Sequence, residues 1–302
     1  MTSFKFDQFV AFGSDSAGLE RILRALQSLV VILLTYPSLL SFLSIPQAPG
    51  IAALLPLKSN LNLSRRAIRL FWFLNSFGTS YNLYTSSSSS SSPKPLETWL
   101  DIVRLTLLGL YAGIESATLL DLLGLPGVSV FGEEQTRRLN LEAQRFWILG
   151  LWIGIAGNLL RIVRAFAYAP VPQHGEGYGT GEGEKAAADG EKSAATVAGN
   201  EKTENGEEEK LDWEAERKRL RAIVVRRRQE RKRWRAHVAG TVRSLGRRVV
   251  SDALDSLIPA AALGWFDIGA GAVAVAMLGS TWITSRDVWE RCGALVAARR
   301  GA

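Results

Sequence analysis

Arg65, Arg66 and Arg69 lie in an eighteen-residue stretch, LNLSRRAIRLFWFLNSFG from Leu61 to Gly78, that also holds Leu63, Ala67, Leu70, Phe71, Leu74 and Phe77. The chemistry such residues offer together is adsorption to an anionic phospholipid surface. Arginines near that surface contribute about 1 kcal/mol each. Each large apolar side chain contributes about 1.5–3 kcal/mol when fully buried, so apolar substitutions should weaken binding more than removal of charge. Wound at about 100° per residue, the stretch sets Leu63, Ala67, Leu70, Leu74 and Phe77 on one stripe with Phe71 beside them, and Asn62, Arg65, Arg69 and Ser76 opposite. No acid within it neutralises the arginines. The expectation is one amphipathic helix over 61–78, its arginine face wet and its Leu/Phe face in lipid. The same periodicity suits a helix that packs its stripe into a soluble bundle.

Other chemistry is poorly supplied. His174, His237 and the lone Cys292 form no cluster with metal-ligand spacing and allow no intrachain disulfide. No phosphate-binding Gly loop, Ser/His/Asp set, HExxH or paired-carboxylate arrangement stands out, so neither an enzyme nor a metal or cofactor is expected. The run Arg217 to Arg235, with Trp213 and Trp234 available for stacking, has the charge to hold nucleic acid. Beside apolar segments it reads better as a polybasic element at membrane headgroups, and no nucleic acid is expected.

The surrounding elements are helical in pattern. The 302 residues carry a formal charge of +7, unevenly placed. Residues 170–210 hold ten acidic and four basic residues, whereas 211–248 hold four acidic and fourteen basic. Ser14 or Ser16 can cap a helix from about Gly18 to Leu34, with Leu19, Ile22, Leu23, Leu26, Val30 and Leu33 on one face and Arg21, Arg24 and Ser28 on the other. Pro37, Pro46, Pro49 and Pro56 break the chain before the arginine stretch. The Ser/Thr tract from Thr85 to Ser92 is a solvated loop. No secretory signal peptide is indicated at the N-terminus.

Two further helices are expected over about 96–123 and 134–168. Each carries a glycine pair four residues apart, Gly109 with Gly113 and Gly150 with Gly154, the spacing that lets helices approach closely, within the chain or between copies. The uncharged core Phe146 to Leu160 rises about 22 Å, short of the roughly 30 Å hydrocarbon layer. Counted out to Arg145 and Arg164, whose stems reach back toward the headgroups, it can cross. Residues 170–210 have the composition of a disordered segment. From Leu211 a basic helix runs toward Leu257, bent or ended by Pro259. Ile268 to Ser285, eighteen uncharged residues, is the best single candidate for a span.

Taken in order, these residues resemble the peroxin-11 family of peroxisomal membrane proteins. Phe6, Phe9, Gly18, Arg21, Arg24, Leu26 and Gln27 are similar to its opening pattern, although Gly18, Leu19, Glu20 and Arg21 replace the usual Gly-Arg-x-Lys. Leu63, Ser64, Arg65, Arg69, Phe73 and Leu74 resemble its second motif, and Asp252, Asp255, Leu257, Ile258 and Pro259, followed by a Gly-rich apolar segment and Trp289, resemble its last. The Ser tract and the charged insertion from Pro170 to about Arg235 depart from shorter members and suggest a divergent, fungal-type one. The resemblance implies a peroxisomal membrane location, a helix inserted in the cytosolic leaflet to elongate the organelle before fission, self-association, and contact with the fission machinery.

The expected fold is therefore all-α: a membrane-associated helical bundle with amphipathic interfacial helices and a disordered charged insertion. Its parts are an N-terminal helical membrane region over 1–169, an acidic linker over 170–210, and a basic helix with a C-terminal membrane segment over 211–302. The lipid-binding candidates are Leu63, Arg65, Arg66, Ala67, Arg69, Leu70, Phe71, Leu74 and Phe77. Gly109, Gly113, Gly150 and Gly154 are the helix-packing candidates. Two other readings stay open. Arg104, Glu115 and Asp267, within or beside apolar segments, suit a pore or metabolite channel, and the charged insertion suits a scaffold that does not remodel membrane.

Overall fold

Apolar residues at helical spacing, punctuated by Pro and Gly, dictate helices joined by short turns. The computed structural model describes residues 3–42, 44, 46–86, 95–124, 127, 129–167 and 206–301. Among them are ten helices and no strand: α1 (Phe4–Ser14), α2 (Ser16–Thr35), α3 (Ser38–Phe42), α4 (Gln47–Ile68), α5 (Trp72–Ser86), α6 (Leu96–Ala117), α7 (Leu119–Leu122), α8 (Glu133–Ala167), α9 (Gly206–Ala262) and α10 (Ala270–Gly301). The fold is all-α, as the patterning predicts. Most of the acidic linker and of the Ser tract fall outside the described residues, and residues 206–210, the end of the expected linker, open α9.

The chain divides into two units, one of residues 1–163 with 243–302 and one of residues 164–242. In the second, the described side chains are those of the last residues of α8 and of a charged segment of α9 in which Arg226 pairs with Glu230 at 3.1 Å. In the first, α10 returns to lie along α2 and α1, and α5 lies along α6. Residues 243–302 thus fold with the N-terminal helices rather than standing as a segment of their own.

Four expectations need correction. Pro49 and Pro56 do not precede the helix; they are inside α4. Pro49 falls in the first turn, where its missing N–H has no partner to lose. The stretch 61–78 is not one helix, because α4 ends at Ile68 and α5 starts at Trp72. Across the break the backbone uses tighter bonds, Leu70 N–H to the Ala67 carbonyl and Trp72 N–H to that of Arg69, and the Ser116 hydroxyl donates to the Leu70 carbonyl at 2.8 Å. The segment Ile268 to Ser285 is not the best span. Its small residues Gly271, Ala274, Ala276, Ser280 and Thr281 are buried, with the Tyr36 ring seated over Gly271. Among the described residues only α8 is long and apolar enough to cross a membrane, by length and composition. Finally, Pro259 does not end the basic helix at once, since α9 continues to Ala262.

Among the described residues, the interior of the first unit holds as many polar or charged residues as hydrophobic ones. Six of its ten largest fully buried side chains are Glu20, Asn158, Thr118, Thr281, Ser28 and Ser280, while Phe42, Phe71 and Trp282 are more than 60% exposed. A water-soluble fold sorts residues the other way.

Candidate functional site

The arginine stretch shows this inversion residue by residue. In α4 the Arg65 side chain turns inward and meets the Glu20 carboxylate of α2 at 2.7 Å and the Gln27 carbonyl oxygen at 2.5 Å. Arg66 faces Glu115 of α6 at 3.4 Å and donates to the Asn140 side-chain oxygen of α8 at 3.0 Å. Arg69, at the end of α4, donates to both Glu115 at 3.0 Å and the Tyr111 hydroxyl at 3.3 Å. Two arginines therefore share one glutamate. The wet arginine face expected from the wheel is the buried face, because carboxylates on two other helices meet it.

The same inversion holds in α2. Glu20, Arg24 and Ser28 are buried, whereas Leu19, Leu26 and Leu29 are exposed. Arg24 crosses to Asp255 of α9 and to Ser280 of α10, and Arg104 of α6 reaches Asp252 at 2.9 Å. Burial alone raises a carboxyl, but Arg21, Arg65, Arg69 and Arg24 around Glu20 hold its pKa down at about 2. Asp252 has fewer cations near it, so burial pushes it up to about 6 against Arg104, with Asp255 adding repulsion.

In α5 the surroundings change. From Leu70 to Pro93 the chain has no charged residue. Phe73 and Phe77 face α6, and the Phe77 ring lies against Gly109, where an added Cβ would sit 2.8 Å from it, with Phe73 beside Gly113. Ser80 is buried at the same seam, its hydroxyl 3.0 Å from that of Thr106. Gly150 and Gly154 of α8 receive Leu108 and Arg104 of α6 in the same manner. Both glycine pairs are thus covered by helices of this chain, which stack as α5, α6 and α8.

Of the lipid-binding candidates, the structure turns Phe71, Leu74 and Ala67 outward, leaves Leu63 and Leu70 half-buried, and folds Arg65, Arg66, Arg69 and Phe77 inward. The partners Glu20, Gln27, Tyr111, Asn140 and Ser116 do not stand out from the sequence. The one available signal was that Glu20, Arg24, Gln27 and Ser28 share a face of α2 as polar as the arginine face of α4.

The family model Peroxisomal biogenesis factor 11 (PEX11) matches residues 6–289, nearly the whole chain. The chain belongs to the PEX11 family. No curated protein and no solved structure matches it. As a PEX11-family member it is a peroxisomal membrane protein, and the family acts at the level of peroxisome elongation and division rather than as a known family of enzymes. Membrane location accounts for the inverted distribution. Charged groups that face lipid are costly, so they gather inside the bundle and pair, while apolar side chains lose nothing by pointing outward.

Proposed function

We propose that this protein remodels the peroxisomal membrane by seating α5 and the α4–α5 corner at headgroup depth in the cytosolic leaflet. The observation that carries this reading is the uncharged α5. Its Phe73, Phe77 and Ser80 are fixed on α6, while Phe71, Leu74 and Tyr81 project outward, 57–67% exposed. A helix backed by a bundle and inserted on one side expands that leaflet relative to the other and so favours curvature. Tyr81 and Tyr84 suit the boundary between headgroups and acyl chains. Arg65 and Arg69 serve as internal ties that hold the α4–α5 corner on α2 and α6, and at this corner the apolar residues make the lipid contact.

The test is full-length protein bound to liposomes containing anionic phospholipid, followed by electron microscopy. Wild type should draw tubules. Phe71→Asp combined with Leu74→Asp should bind less and draw none, while helicity and unfolding temperature stay unchanged. Tubulation by that variant equal to wild type would overturn the wedge. A pore has less support than the sequence lends it, because Arg104 is tied to Asp252 and Glu115 to Arg66 and Arg69. Self-association, if it accompanies remodelling, must use outer surfaces such as that bearing Trp282, since the paired glycines are covered.

A further inference from the structure

A cleft of about 880 Å³ opens between α4, α6, the start of α8 and the ends of α9 and α10. That volume is in the range of small-ligand sites. Arg66 lines it. Its guanidinium is largely buried, one Nη donates to Asn140, and its Nε lies 3.4 Å from the Glu115 carboxylate without a hydrogen bond to it. The one carboxylate within reach, Glu115, is shared with Arg69. Arg137 also lines the cleft, exposed and, among the described residues, without an acidic partner. It lies one helical turn from Asn140, the residue Arg66 touches, and side chains so placed are neighbours on a helix surface. Two arginines from different helices therefore line one space, and guanidinium groups receive a phosphate through charge-assisted donors.

The position of the cleft along α8 identifies the source of that phosphate. Arg137, Asn140 and Gln144 line it, and one turn further Trp147 lines it too, at the start of the apolar core Phe146 to Leu160 of the candidate span. Ile258, Ala262 and Met277 supply the apolar part of the wall. The cleft thus passes from guanidinium to hydrocarbon at the level where α8 passes from polar to apolar. On the rim, Glu133 stands one turn before Arg137, and Asp121 is held by the Val130 and Phe131 amides and the Thr136 hydroxyl. These acids bring the lining close to neutrality, which suits a headgroup carrying an ammonium beside its phosphate.

We infer that the cleft holds one phospholipid by its headgroup, the phosphate between Arg66 and Arg137, an ethanolamine-type ammonium toward Glu133, and the first acyl methylenes on Trp147, Ile258 and Met277. This rests on the membrane reading of α8 and is independent of the wedge at α5.

The test is native mass spectrometry of the full-length protein released from non-ionic detergent micelles doped with phosphatidylethanolamine. One retained lipid per chain is expected. Arg66→Gln with Arg137→Gln should lower retention at least tenfold, and Arg137→Gln alone, on an exposed helix face, should lower it several-fold without loss of fold. Glu133→Gln should shift preference from phosphatidylethanolamine toward phosphatidylglycerol. Retention unchanged in the double variant would overturn the site. Competition by glycerophosphoethanolamine or inorganic phosphate as strong as by the lipid would overturn the lipid assignment and leave a soluble-phosphate site. Phe71→Asp with Leu74→Asp should leave retention intact, and Arg137→Gln should leave tubulation intact, so a failure of either reading is separable from the other.

Discussion

Residues 61–69 and 70–86 adjoin in sequence and continue one helical stripe, yet they meet opposite surroundings. The first part turns its charges inward, where Glu20 and Glu115 receive Arg65, Arg66 and Arg69. The second has no charge and turns Phe71, Leu74 and Tyr81 outward. Helical spacing settles which residues share a face; the surrounding solvent and the partners on other helices settle which face is inside. Beside lipid, polar groups gain from one another and apolar groups are indifferent between bundle and acyl chains.

The largest effect should come from removing a counter-ion of the first part. Glu20→Ala leaves the Arg65 guanidinium buried without its carboxylate, and breaking such a pair costs about 3–5 kcal/mol. The expected readout is a large fall in the unfolding midpoint, followed by circular dichroism in detergent. Glu20→Met with Arg65→Leu removes both charges together and should recover most of the loss. A midpoint for Glu20→Ala within about 2 °C of wild type would show that the arginine does not depend on this partner.

The two buried carboxylates offer a smaller contrast in pH. Glu20 titrates at about 2, below its ordinary range, so its contribution is present above pH 4.5 and fades as pH falls toward 2. Asp252 titrates at about 6, above its ordinary 3.8, so its contribution is full below 3.8 and lost as pH rises through about 6. Asp252→Asn should therefore flatten the decline in stability between pH 4 and 6 while leaving the acid limb in place. An unchanged slope in that window would mean the decline comes from other groups.

Much of the helical framework was legible in sequence. The helices expected over 18–34 and 134–168 are found at Ser16–Thr35 and Glu133–Ala167, because apolar spacing is a local signal, although Asp15 rather than Ser14 or Ser16 stands at the N-cap of α2 and makes no side-chain cap bond. The break at Arg69 to Phe71 was not legible. It contains no Gly or Pro, and the Ser116 hydroxyl that meets the freed Leu70 carbonyl comes from another helix. The role of α10 was hidden for a related reason. Gly and Ala in an apolar run read as a span, but here they allow α2 to approach closely enough for Arg24 to reach Ser280. Burial of Arg65 required knowing that Glu20 lies opposite it, forty-five positions earlier.

The smallest effects compare two glycines, one on each side of the α5 seam. Gly109 faces the Phe77 ring, and a methyl there would sit 2.8 Å from it, so Gly109→Ala must push the ring out and should destabilise by about 1–3 kcal/mol. Gly78 lies inside α5 with open space where its Cβ would be. Gly78→Ala removes backbone freedom from the unfolded chain without a clash and should stabilise by about 0.5–1 kcal/mol. One substitution type then gives opposite signs at two glycines that differ only in facing the bundle or facing out. If Gly78→Ala destabilises as much as Gly109→Ala, the outer face of α5 is packed against protein rather than lipid, and the remodelling surface must be sought on another helix.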